Sequence, residues 1–122
     1  MLSTEVIMEV CKCSQLSAEE IDKIRYEMPA QLEIDGLAEF FKVFGDPGRL
    51  KIIYYLSKTE LCVADLARLV QMAQPAVSQQ LKILRLTRFV NFRKEGKTVY
   101  YSLHDEHVSE LYQIALHHIR EL

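Results

Sequence analysis

The 122-residue chain has no apolar run approaching the ~18 residues needed to carry a helix across a bilayer, so no membrane span is expected. Its start, MLSTEVIMEVCKC, lacks a basic segment followed by a long apolar stretch, so no secretory signal is expected either. Cysteine is scarce and odd in number: there are three, two of them in "CKC", a spacing that reads as a poor disulfide. This usage points to a reducing, cytoplasmic setting in which thiols are kept for metal or redox chemistry. There is no internal repeat, no low-complexity tract and no phosphate-cradling glycine loop, which weakens any enzyme reading.

What is present is a normal globular composition with lopsided charge. The net charge of −2 conceals a division: residues 1–46 carry ten acids against four bases. Residues 66–100 carry seven bases (Arg68, Lys82, Arg85, Arg88, Arg93, Lys94 and Lys97) against Glu95 alone. Basic charge gathered in one segment is the footprint of a nucleic-acid binder, because neutralising phosphates releases condensed counterions.

Hydrophobic spacing orders the elements. "SAEE" at residues 17–20 is a capping box that opens a helix expected to run to Pro29. Leu37, Phe40, Phe41 and Phe44 recur at helical spacing up to Gly45, and Asp46-Pro47 then caps a helix carrying Leu50, Ile53 and Tyr54. A short helix over 61–70 buries Val63, Leu66, Ala67 and Val70. From Pro75 another helix buries Val77, Leu81 and Leu84, leaving polar residues outward. Beyond Arg88 the period changes to alternation (Val90, Phe92, then Val99, Tyr101, Leu103), a hairpin turning at Glu95-Gly96. A final helix starts at Asp105.

Two short helices followed by a basic hairpin predict a mainly α protein with a small β-hairpin wing, a winged helix-turn-helix. The second helix enters the major groove of double-stranded DNA. Gln74, Ser78, Gln79, Gln80, Lys82 and Arg85 are its candidate contacts, and Arg93, Lys94 and Lys97 those of the wing.

All four histidines lie between His104 and His118. His107 and His118 are eleven residues apart, roughly 16 Å along one helix, too far for a single ion whose Zn–N bonds are ~2 Å. Asp105 with His107, and His118 with Glu121, therefore each make half of a four-ligand site. Two helices packed antiparallel across a two-fold axis would complete both halves, with Val108, Leu111, Tyr112 and Ala115 between them as the seam. Two imidazoles and two carboxylates suit Zn(II), with Co(II) as a surrogate.

"ELCVADLARLV", "AVSQQLKILR", "VNFRKEGKTVYYSL" and "DEHVSELYQIALHHIRE", in that order, resemble the ArsR/SmtB family of metal-sensing repressors, and most closely its SmtB-like zinc sensors. The likeness covers about residues 37–121. It implies a homodimer held through the N- and C-terminal helices, with residues 1–30 as an arm and helix. Residues 31–122 would be the winged-helix domain with a C-terminal dimerisation and metal-binding helix. The apo dimer would occupy an inverted-repeat operator and release it on binding metal, derepressing efflux or sequestration genes. The family's Asp-x-His…His-x-x-Glu set maps onto Asp105, His107, His118 and Glu121; His104 and His117 fall outside it.

The family's second, thiolate-rich site maps onto Cys62, with Cys11 and Cys13 from the arm and Asp65 as a fourth ligand; Ala64 stands where a second helix cysteine would be. Such a soft site would take Cd(II), Pb(II) or Cu(I). Relatives often read "AVSHQL" where this chain has Gln79. Three readings stay open: a zinc-responsive repressor, a sensor of softer metals using Cys11, Cys13 and Cys62, and a thiol redox switch. None of them calls for a catalytic residue, a small-molecule substrate or a membrane.

Overall fold

The computed structural model describes residues 10–122. These divide into two compact units, one reaching Ile34 and the other Asp35–Leu122.

In the first unit, α1 (Ala18–Tyr26) opens on the expected capping box. The Ser17 hydroxyl accepts from the Glu20 amide at 3.1 Å, and the Glu20 carboxylate accepts from the Ser17 amide at 2.8 Å. The helix stops at Tyr26, short of the expected Pro29. The amides of Glu27 and Met28 fold back onto the carbonyls of Lys23 and Arg25, and the residue before a proline resists helical geometry. The next helix, α2 (Gln31–Phe44), starts six residues before Leu37, its first turn closed by the Ala30 amide donating to Glu33.

The second unit continues through α3 (Pro47–Leu56), β1 (Leu61–Cys62), α4 (Val63–Val70) and α5 (Gln74–Leu86). It ends with β2 (Val90–Glu95), β3 (Thr98–Leu103) and α6 (Glu106–Arg120). Leu61 and Cys62 are a correction to the sequence reading: they form a strand, not the start of a helix. They pair with Tyr101 and Tyr100, so the hairpin supplies the central strand β3 and one edge, β2, of a three-stranded antiparallel sheet in the order β1-β3-β2. Helical periodicity over 61–70 has no means of registering a partner some forty residues away. The hairpin turns at Gly96-Lys97, one residue later than expected, with Glu95 opposite Thr98 and Gly96 at φ +64°, which only glycine adopts without strain.

α4 closes at Gln71, whose left-handed backbone (φ 58°) reverses the chain, and α5 begins three residues later. The inner face expected of α5 is the observed one, and α4 differs only in that Val63 is half-buried. On the preceding helices Leu37, Phe41 and Tyr54 are exposed, and Ile52 is buried in addition to Ile53. Leu66, Val77, Leu81 and Leu84 are completely buried with Ile52 and Ile53 of α3, and Phe89 stacks on Phe40 with ring centroids 4.6 Å apart. Each such side chain contributes ~1.5–3 kcal/mol of burial. This core holds α4 and α5 as a fixed pair and turns the polar side of α5 to solvent.

Candidate DNA-binding face and metal-ligating helix

α5 carries the face expected to meet DNA. Gln74, Ser78, Gln79, Lys82 and Arg85 are exposed along it, and the Arg85 guanidinium lies over the Phe92 ring at 5.0 Å, joining helix to wing. Gln80 departs from the expectation of a free, DNA-facing side chain. It is half-buried; its Oε1 accepts from Arg49 Nη1 at 3.1 Å, and its Nε2 donates to Asp46 Oδ2 at 3.2 Å. Arg49 Nε also donates to the Val43 carbonyl at 2.8 Å, satisfying one of the open carbonyls at the end of α2.

Arg93 departs in the same way. Its guanidinium donates to both carboxylate oxygens of Glu60 at 2.8 Å and to Glu95 at 2.7 Å, and it sits over the Tyr100 ring at 4.7 Å. The bidentate bond from Arg93 holds the Glu60 carboxyl below its ordinary range. Arg93 is thus neutralised by wing and β1-side carboxylates, whereas no carboxylate pairs with Lys94 or Lys97 among the described residues. One group of side chains lay outside the sequence-derived site. At the base of the wing, Arg88, Asn91 and His104 line a concave notch with Arg85 and Phe92, and His104 Nδ1 is 3.1 Å from Asn91 Oδ1. The run of bases signalled Arg88; nothing local in sequence pairs Asn91 with a histidine thirteen residues on.

The terminal helix brings Asp105 and His107 together at its start, and differs from the expectation at its end and in its middle. Asp105 is the N-cap of α6: its Oδ1 accepts from the His107 amide at 2.9 Å and lies 3.5 Å from His107 Nδ1. Desolvation pushes the Asp105 carboxyl up, but the His107 amide bond with the charges of His107 and His104 outweighs it and holds the group below its ordinary value. At the other end Glu121 pairs with His117, not His118, at 3.0 Å. That is the i,i+4 neighbour, which shares its face. Among the described residues no three histidine, cysteine or acidic side chains of one chain gather closely enough to hold an ion. Each end therefore offers two donors.

The expected seam needs correction. Val108 is buried in this chain's own core (4% exposed) and Tyr112 packs against that core. Leu111, Ala115 and also Ile114 instead line an open apolar groove with Phe41, Phe44 and Leu50. A helix of this period has more than one apolar stripe, and sequence alone does not say which one the chain keeps for itself.

The cysteines differ from expectation as well. Cys11 and Cys13 are joined as a disulfide, their Cα atoms 5.6 Å apart, within the span a bridge requires even at so short a separation. In that state they supply no thiolate, and ligation by them requires prior reduction. Cys62 is a free, half-buried thiol at the N-cap of α4, where it makes no cap hydrogen bond. Asp65 stands one turn on and is paired with Arg68 at 3.6 Å.

A helix-turn-helix whose second helix is backed by apolar packing and flanked by a hairpin wing defines a winged-helix regulator of the helix-turn-helix class. A model of the arsR family of bacterial regulatory proteins matches residues 46–91. The chain is 39% identical over 114 residues to the transcriptional repressor SmtB homolog of Synechocystis sp., covering 93% of this chain and 86% of that one. It is 36% identical over 115 residues to the cadmium resistance regulatory protein CadC homolog of Staphylococcus aureus, covering 93% and 94%. The solution structure of Mb0332 from Mycobacterium bovis, a homodimeric winged helix-turn-helix DNA-binding domain, superposes with a TM-score of 0.69 at 26% identity, covering 77% and 92%. The chain belongs to the ArsR/SmtB family of metal-sensing transcriptional repressors; it is a regulator and not an enzyme. No helix among the described residues is long and apolar enough to cross a membrane.

Proposed function

We propose that this chain is a cytoplasmic, zinc-responsive repressor that works as a homodimer on an inverted-repeat operator. In this reading residues 31–122 form the DNA-binding and dimerising body and residues 1–30 an arm. The observation that carries it is the division of ligands on α6: Asp105 and His107 together at its N-terminus, His118 and Glu121 on its last turn. They are separated by a helix length that no single ion bridges. Antiparallel apposition of two such helices brings each half to the other, and the exposed apolar groove beside α6 is the surface that such apposition would cover.

The donor set fits the metal. It comprises two imidazoles and two carboxylates; Asp105 is held ionised, its cap hydrogen bond from the His107 amide falling on Oδ1 and not Oδ2, and His107 is exposed. Bound zinc would supply a tie between protomers that fixes their relative placement. Glu121 must leave His117 to serve as a ligand, so a competing contact sits at one half-site. Gln74, Ser78, Gln79, Lys82 and Arg85 are assigned to DNA contact, with Lys94 and Lys97 on the wing. Metal and DNA then oppose one another through the dimer geometry, and each weakens the other by the same factor, typically ~1–3 kcal/mol.

The experiment is fluorescence anisotropy of an inverted-repeat duplex from upstream of the gene, titrated with Zn(II) and Cd(II). Wild type is expected to release the duplex on zinc, and an Asp105→Ala/His107→Ala variant to hold it. Release by that variant would move the switch to the soft-metal reading, with Cys62 and Asp65 completed by reduced Cys11 and Cys13 and with Cd(II) or Pb(II) as effector. The Cys11–Cys13 disulfide keeps a thiol redox switch in view as a third arm, tested by release under oxidant without metal.

A further inference from the structure

Resting on the DNA-binding reading but independent of the metal, we infer that Gln80 is a positioning residue. With Asp46 and Arg49 it clamps the recognition helix at a fixed rotation, and it does not read bases itself. The clamp joins three elements. Asp46 Oδ2 receives both the Arg49 amide, at 3.0 Å, and Gln80 Nε2, at 3.2 Å. Arg49 forks between Gln80 Oε1 at 3.1 Å and the Val43 carbonyl at 2.8 Å. The end of α2, the start of α3 and the middle of α5 thus meet through hydrogen bonds that each involve a charged group or a helix-terminal carbonyl.

Besides the stacking of Arg85 on Phe92 near its C-terminal end, what holds α5 is mainly apolar: Val77, Leu81 and Leu84, all completely buried. Such contacts are non-directional and tolerate rolling, whereas hydrogen bonds fix an angle. Rotation matters here because a roll about the helix axis carries Ser78, Gln79 and Lys82 sideways together, and hydrogen bonds to base edges tolerate only small departures in distance and angle. Gly48 supplies a second, independent observation. A Cβ at this position would stand 3.2 Å from Asp46 Oδ2 and 3.4 Å from Gln80 Nε2, so glycine leaves the room that the clamp occupies.

The test compares Gln80→Met, Arg49→Met, the double variant and Gly48→Ala in the full chain. Anisotropy gives affinities for the inverted-repeat duplex and for the same duplex scrambled, over a range of salt. The two single variants are expected to lower the operator-to-scrambled affinity ratio by roughly tenfold each, about the worth of one charge-assisted hydrogen bond. The salt slope should be unchanged and the double variant no worse than the weaker single one. Gly48→Ala should move the ratio the same way although alanine is the better helix former.

If Arg49→Met leaves the ratio intact while Gln80→Met loses it, or if the two losses multiply, Gln80 touches DNA directly and the clamp is overturned. Hydrogen exchange on the free proteins is the readout that DNA cannot confound. The clamp requires faster exchange confined to the first half of α5 in both single variants; unchanged or uniformly faster exchange overturns it. If wild type fails to distinguish the two duplexes, the operator reading fails, and hydrogen exchange still decides the clamp.

Discussion

α5 and α6 are amphipathic helices of similar length, 13 and 15 residues, yet they dispose of their apolar side chains in opposite ways. α5 buries Val77, Leu81 and Leu84 completely within its own chain, and apart from Leu86 at its last position, 68% exposed, what it shows to solvent is largely amide, hydroxyl and cation. α6 buries Val108 alone, and Ile114 and Ile119 stand 66% and 61% exposed beside the groove residues Leu111 and Ala115. One helix is finished by its own fold and presents chemistry for a polyanion. The other is left half-covered, and a helix with an uncovered apolar stripe calls for another protein surface. On the proposed reading recognition and assembly fall to different helices, which is what a switch needs if the second is to control the first.

The sharpest way to break that contrast is one substitution on each helix. Ile114→Glu should leave the fold intact and raise the dissociation constant of the dimer by at least about 100-fold, since two copies each lose ~1.5–3 kcal/mol of burial. Sedimentation equilibrium reads it directly. Leu81→Ala should do the reverse, costing ~2–5 kcal/mol in denaturant unfolding while leaving the association surface untouched. Unchanged self-association in Ile114→Glu would mean that the stripe on α6 is not the seam.

The contrast also explains what was legible beforehand. The inner face of α5 was readable because its three apolar residues repeat at i, i+4 and i+7 and nothing else competes for that side. The middle of α6 was not, because Val108, Leu111, Tyr112, Ile114 and Ala115 spread over more than one stripe, and only α3 and β3 decide which is kept. Caps and turns, such as Ser17 with Glu20 and Asp46 before Pro47, were readable from residues a few positions apart. The pairing of Leu61-Cys62 with β3, the Glu60–Arg93 bridge and the Gln80–Arg49 bond were not, since each joins residues more than thirty positions apart. For the same reason the charge count identified a basic segment but overstated its free cations, Arg93 being already engaged.

That last point sharpens the comparison at the wing. Lys94 and Lys97 have no carboxylate partner among the described residues, whereas Arg93 has two. Lys94→Ala and Lys97→Ala are each expected to weaken operator binding about equally for all sequences and to reduce the salt slope by about 1. Arg93→Ala should leave the slope unchanged and lower the thermal midpoint instead. A reduced slope in Arg93→Ala would show that the Glu60 pair opens when DNA arrives.

The smallest effect belongs to the other partner of that pair. Bonding by Arg93 holds the Glu60 carboxyl below its ordinary value near 4.5, so the folded state binds this proton less readily than the unfolded chain does. The stability this contributes is complete above that value and is lost as pH falls through the lower, folded one. Both side chains are partly exposed, so the contribution is small. Wild type should therefore melt slightly above Glu60→Gln at neutral pH, and the two melting curves should converge as the solution is acidified below about pH 4.5. A gap that persisted in acid, where the Glu60 carboxyl is neutral, would show that its charge is not the source of the difference.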